Sequence, residues 1–140
     1  MRLSLLPVLV LTLAACGGNG GDSGGGGGGG EDIQPVTVTL EEMNGSGKSG
    51  TAELHPGAAS TDITIALEPP QGDNETIHIH KGTCDSPGEI AHDIGFTTAG
   101  LGQGQAFVNL PELTTGDYVL DIHSAKNPDE VIMCGPIPER

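Results

Sequence analysis

Two histidines lie two residues apart in the stretch Thr76–His80, TIHIH, where they alternate with Ile77 and Ile79. Alternation of β-branched apolar residues with polar ones predicts a β-strand. On a strand, residues two apart point to the same side and lie about 6.5 Å from each other. Two imidazoles at this spacing can bind one metal ion if a neighbouring strand or loop supplies a third ligand. Alone, His-x-His is a weak signal, because any half-exposed strand with outward polar residues can contain it.

A third imidazole stands at the end of another strand-like run, Tyr118–His123, YVLDIH. The apolar residues of this run face the side opposite to His123, which makes His123 the best candidate for a third ligand. His92 and His55 lie in the segments IAHDIG and LHPG, whose patterns constrain them less.

The first cysteine follows an N-terminus typical of a secretory signal. Arg2 precedes an apolar run, Leu3–Leu13, which is followed by small residues and Cys16. About 11 apolar residues are too few for a membrane-spanning helix, which needs roughly 18. Residues 1–15 are therefore predicted to be a signal peptide. The end of this segment, LAAC, resembles the bacterial lipobox, which implies that Cys16 carries lipid; the alternative is ordinary secretion with cleavage near Ala15.

Residues 16–35 are predicted to be a disordered tether, because they are almost pure glycine with a few polar residues. Glycine is costly to order and buries no side chain. The foldable part is then residues 36–140, one domain. The expected location is the cell envelope, with the domain exported to the periplasmic or extracellular face and a lipid anchor to the membrane.

Cys84 and Cys134 remain as an even pair in an exported protein, so a disulfide between them is expected. It would close a loop of about 50 residues and stabilise the domain by roughly 4 kcal/mol. The net charge of −14 argues against nucleic acid and anionic membrane surfaces as partners. The sequence points to no protein partner.

The strand pattern predicts an all-β domain. Seven or eight short alternating runs are separated by turns rich in Gly, Pro, Asn and Asp, and no segment has a convincing helical period. Such a pattern is typical of an antiparallel β-sandwich or flattened barrel. The predicted strands are 36–40, 51–54, 61–67, 76–80, a weaker 94–97, 106–110, 118–123 and 130–134.

Two segments, IHIHKGTCDSPG and GDYVLDIHSAKNPDEVIMCGPIP, resemble the copper/zinc superoxide dismutase family in its compact bacterial variants. The resemblance implies a Greek-key β-sandwich with copper at His78, His80 and His123. It also matches Cys84 to the cysteine of a C-x-x-x-G turn and Cys134 to its disulfide partner.

The chain departs from that family at three points. The histidine that would bridge copper and zinc has its nearest counterpart in His92, two residues late, which is kept as a candidate fourth ligand. The zinc loop is missing, so zinc is not expected. Val131 stands where the family has its substrate-guiding arginine, so any superoxide dismutase activity should be weak or absent, and no catalytic residue is assigned.

Three hypotheses follow from these residues. The first is an envelope lipoprotein with a superoxide dismutase-like copper-binding domain of weak or no activity. The second is a non-enzymatic copper carrier or buffer. The third is a metal-free structural β-sandwich module. A serine hydrolase is not expected, because the foldable part, residues 36–140, contains no G-x-S-x-G motif.

Overall fold

The computed structural model describes residues 32–70 and 74–140. The predicted signal peptide, Cys16 and the glycine tract up to residue 31 lie outside the described residues. The described residues all belong to one compact unit. Within the described part, no helix is long and apolar enough to cross a membrane.

Eight antiparallel strands close into a barrel, which confirms the all-β expectation. Around the barrel the order is β1-β2-β3-β6-β5-β4-β7-β8, so the neighbours β3–β6 and β4–β7 are joined by crossovers. The strands are β1 Val36–Glu42, β2 Ser49–Pro56, β3 Thr61–Glu68, β4 Thr76–Thr83, β5 Ser86–Thr98, β6 Leu101–Ala106, β7 Tyr118–His123 and β8 Val131–Pro136.

The barrel interior is filled by the apolar half of each alternating strand. β1, for example, has strictly alternating buried and exposed residues from Val36 to Leu40. Ile77, Ile79, Leu120 and Ile122 are fully buried in the same core. Because side chains alternate along a strand, burying these four residues turns their neighbours on β4 and β7 to the outside of the barrel.

One predicted strand is wrong. The run 106–110 contributes only Ala106 to a strand; β6 instead covers the glycine-rich segment Leu101–Ala106, which composition had suggested to be a loop. Gly102 and Gly104 are there because the sheet is tightly packed at these positions. A Cβ on Gly104 would lie 2.1 Å from the carbonyl oxygen of Ile94.

The chain after β6 forms the only helix among the described residues. This helix, α1, covers Leu110–Leu113 and has a proline in its first turn. Four residues are too few to show a helical period in the sequence, and proline is well tolerated in the first helical turn.

The C-terminal residue is hydrogen-bonded to the segment that precedes β1. The Arg140 guanidinium donates to the carbonyl oxygens of Gln34 and Pro35 at 2.9 and 2.7 Å, and its backbone N–H donates to Thr114. Elsewhere in the barrel, an ion pair joins the partly buried Lys48 to the buried Glu75, which also accepts a hydrogen bond from Thr97.

The disulfide between Cys84 and Cys134 is present, with the two Cα atoms 5.8 Å apart. It joins the turn between β4 and β5 to β8, two elements that are not neighbours in the barrel.

We expect Cys84→Ser to lower the free energy of unfolding by about 2–5 kcal/mol, because the bond closes a loop between residues 50 apart in sequence. Urea denaturation of the oxidised protein, the reduced protein and the variant would measure the loss. Added reductant should weaken the wild type and leave Cys84→Ser unchanged. Equal stability of all three would show that the bond contributes nothing.

Candidate metal centre

The pairing of β4 with β7 brings four polar side chains onto one patch of the outer barrel surface. In the register, His78 lies opposite Asp121, while Thr76 lies opposite His123 and His80 opposite Val119. Directly opposed residues of an antiparallel pair have Cβ atoms about 4.5–5.5 Å apart. The patch therefore follows from the same alternation that buries the isoleucines.

His78, His80, Asp121 and His123, named here the His3Asp cluster, each present one ligand atom within 4.8 Å of all the others. The imidazole ring centroids are 4.9 Å apart for His78–His123, 5.7 Å for His78–His80 and 5.9 Å for His80–His123. The three histidines selected from the sequence thus meet around one point, and an ion could bind there.

Two backbone carbonyls orient two of the rings. Nδ1 of His80 lies 2.9 Å from the Gly88 oxygen, and Nδ1 of His123 lies 2.8 Å from the Pro128 oxygen. A carbonyl oxygen only accepts, so both Nδ1 atoms carry a hydrogen, and each ring in its neutral form presents its lone pair at Nε2. A hydrogen bond at the far nitrogen is the usual arrangement for a metal-binding histidine.

Asp121 is the most buried member of the cluster, with 1% of its surface exposed. Its two oxygens lie 3.3 Å from Nε2 of His123 and 3.5 Å from Nε2 of His80, and neither contact has the geometry of a hydrogen bond. A buried carboxylate without hydrogen bonds is costly in free energy, and a cation would remove that cost.

The surroundings shift the pKa values of two cluster members toward the neutral forms. Burial raises the pKa of Asp121 above its usual value, against the opposing effect of the three histidines. Burial also lowers the pKa of His78, helped by the nearby His123. A neutral His78 has a lone pair available for a metal ion near neutral pH.

The remaining candidates lie elsewhere. His92 is on β5 opposite Ile79 and is not a member of the His3Asp cluster. His55 lies on β2, where its Nε2 is 3.3 Å from an exposed Glu53 carboxylate. His92 therefore adds no fourth ligand to the cluster; Asp121 takes that place.

Sequence reasoning missed Asp121, although a signal was present. Asp121 precedes His123 by two residues, so Asp-x-His on β7 repeats the spacing of His-x-His on β4. The same rule that paired His78 with His80 places Asp121 beside His123 on the outer face.

The disulfide borders the cluster. Cys134 on β8 lies directly opposite Asp121 on β7. Cys84 follows His80 by four residues, at the turn that leads to the Gly88 carbonyl. The bond thus holds two supports of the site together: the strand beside Asp121 and the hairpin that orients His80.

Asp121→Asn should stabilise the metal-free protein at pH 7. A carboxyl group whose pKa is raised in the folded state holds its proton more tightly there, so stability falls as pH rises from the unfolded value near 3.8 through the folded one. An amide has no such titration. Thermal melts in chelator from pH 4 to 8 would measure the difference, with the exposed Asp85→Asn as control. A variant less stable than the wild type at pH 7 would contradict this account of Asp121.

Comparison with known proteins gives no match to a family model, to a curated protein or to a solved structure. The likeness to the copper/zinc superoxide dismutase family is therefore carried by the motif residues of this chain alone.

Proposed function

We propose that this protein is an exported lipoprotein whose barrel binds one divalent copper ion at the His3Asp cluster, without rapid turnover of superoxide. One observation carries the proposal. Across residues 32–70 and 74–140, six buried side-chain polar atoms lack a hydrogen-bond partner, and five of them belong to the four residues of the cluster. Native proteins leave few such atoms unpaired, and each costs about 1–3 kcal/mol.

The free-energy cost of these buried, unpaired atoms also argues against the hypothesis of a metal-free structural module. A barrel that needed no ion would be more stable with apolar or hydrogen-bonded residues at these positions. The donors also select the class of ion. Three imidazole nitrogens suit copper, zinc, nickel or iron, whereas calcium and magnesium take oxygen ligands.

Copper(II) is the ion that we favour, because affinity for a given set of nitrogen and oxygen ligands rises to Cu²⁺ and falls again at Zn²⁺. The carboxylate of Asp121 is a hard donor and does not favour copper(I). Zinc is the direct competitor, since three histidines and one carboxylate also suit it. The sequence-based argument against zinc rested on a missing loop and did not consider Asp121.

Several features support a superoxide dismutase-like Greek-key domain as the framework of the site. The His-x-His strand β4 and the strand that ends in His123 are neighbours through a crossover, as the resemblance implies. The Cys84–Cys134 bond matches the implied half-cystines. An oxidising compartment allows such a bond, which agrees with export and lipidation at Cys16.

The charges around the cluster suit the gathering of cations better than the guidance of an anion. Asp93 lies opposite His78 on β5 and is exposed. Val131, which stands at the position of the family's guiding arginine, lies opposite His123. Lys81 is 3.8 Å from Glu89, so its charge is partly balanced. We therefore assign the protein a role in binding or buffering copper on the envelope.

Copper(II) should bind the protein with one-to-one stoichiometry and raise its melting temperature. A ligand that binds only the native state adds about 2.7 kcal/mol at a free concentration 100 times its Kd. His123→Ala removes a ligand, so its affinity should fall by more than the 10–100-fold typical for loss of a neighbour that orients one. Competition calorimetry with Cu²⁺ and Zn²⁺ would measure both affinities.

His92→Ala is the matched control for that titration, because it removes an imidazole outside the cluster and should bind copper as the wild type does. Equal loss in both variants would locate the ion elsewhere. Tighter binding of Zn²⁺ than of Cu²⁺ would show that the cluster binds zinc and not copper, while the location of the site would stand.

The copper-loaded protein should remove superoxide no faster than the metal-free protein does. An anion needs a local positive potential to be drawn to the ion, and Asp93 and Val131, which pair with His78 and His123 on the flanking strands, do not supply one. Stopped-flow decay of superoxide, after gel filtration to remove loose copper, would measure the rate. A fast rate that falls with salt and is lost in His123→Ala would show that the protein is an enzyme.

A further inference from the structure

The sixth unpaired buried atom is the hydroxyl oxygen of Thr76. Thr76 precedes His78 by two residues on β4 and so shares its outward face. It also lies directly opposite His123 on β7. The Thr76 side chain therefore lies next to those of two members of the His3Asp cluster, although Thr76 is not one of the candidate ligands.

Burial across the patch shows which edge of the cluster is open. Thr76 and His78 are partly exposed, whereas Val119 and Asp121 are buried. Beyond Thr76, the next residue across the sheet is Phe96 on β5, which is 61% exposed. A small molecule approaching the cluster from solvent would come over the edge formed by Thr76 and His78.

The six unpaired atoms are of two chemical kinds. Five are ring nitrogens or carboxylate oxygens, which can each present a lone pair to a cation. The Thr76 hydroxyl is the one alcohol among them, and its hydrogen needs an acceptor. A metal ion would satisfy the five lone-pair atoms and leave that hydrogen unpaired. The hydroxyl would therefore be satisfied by a second ligand, bound next to the ion, that accepts its hydrogen bond.

We propose that Thr76 positions a small exogenous ligand on the bound ion by donating a hydrogen bond to it. The ligand class is a small oxygen or nitrogen donor: water, hydroxide or a small anion. This inference rests on the proposed metal site and adds to it an open coordination position on the side of Thr76. Thr76 is a positioning residue, since it would contact the exogenous ligand and not the ion.

Threonine suits this role because its branched Cβ restricts the first side-chain torsion and so holds the hydroxyl in few orientations. Valine has nearly the same shape but no hydroxyl. An unpaired buried hydroxyl destabilises the folded state, so Thr76→Val should raise the melting temperature of the metal-free protein. Keeping the threonine then has a cost in stability, which a role in ligand binding would explain.

The test uses the copper(II)-loaded protein with azide as the probe ligand. Visible absorption and electron paramagnetic resonance would follow azide binding at fixed pH in the wild type, Thr76→Val and Thr76→Ser. We expect Thr76→Val to bind azide about tenfold more weakly, the effect of losing one hydrogen bond to a charged group. Thr76→Ser should behave as the wild type does. Copper affinity should be the same in all three proteins.

Equal azide affinity in the wild type and Thr76→Val would overturn the inference. So would a copper-loaded wild type that takes up no azide, because the ion would then have no open position. A loss of copper affinity or of folding in Thr76→Val would make Thr76 structural. In each case the binding of copper by the wild type would still stand; if the wild type bound no copper, the proposed function itself would fail.

Discussion

The register between β4 and β7 is the constraint on which the site depends. His78 must lie opposite Asp121 for the four side chains to meet, and the same pairing places Ile77 opposite Ile122 inside the barrel. A shift of one residue would expose the isoleucines and bury the imidazoles, at a cost of several apolar side chains. The free energy that fills the core therefore also assembles the candidate metal site, and no separate device is needed to bring the ligands together.

The sequence predicted the parts of the fold that depend on alternation. Strands such as β1 and β3 bury every second residue, so their period of two can be seen in the sequence. β6 could not be found in this way. The backbone of β5 passes too close to Gly104 for a side chain, and a Cβ on Gly102 would meet the Ile77 side chain. Composition alone predicts a loop at such glycines, because the contacts that require them exist only once the strands pack together.

The candidate site was predictable to a similar extent. Three of its four candidate ligands were selected from the positions of histidines on predicted strands, and the disulfide pair from counting the cysteines. Asp121 could have been found by the same rule, since Asp-x-His on β7 has the spacing of His-x-His on β4. The orienting carbonyls of Gly88 and Pro128 could not be foreseen, since they depend on how a hairpin and a loop fold back over the rings. A motif can supply donors, but only the fold shows which nitrogen each ring presents.

The position of Cys134 opposite Asp121 has a practical consequence for how this protein is made. Material expressed in a reducing cytosol would hold a free thiol on the strand next to the candidate site. Thiolate is a soft ligand that favours copper(I) and zinc. Metal bound by such a thiolate would be counted together with any ion at the His3Asp cluster. The redox history of a sample therefore has to be known before its metal content is interpreted.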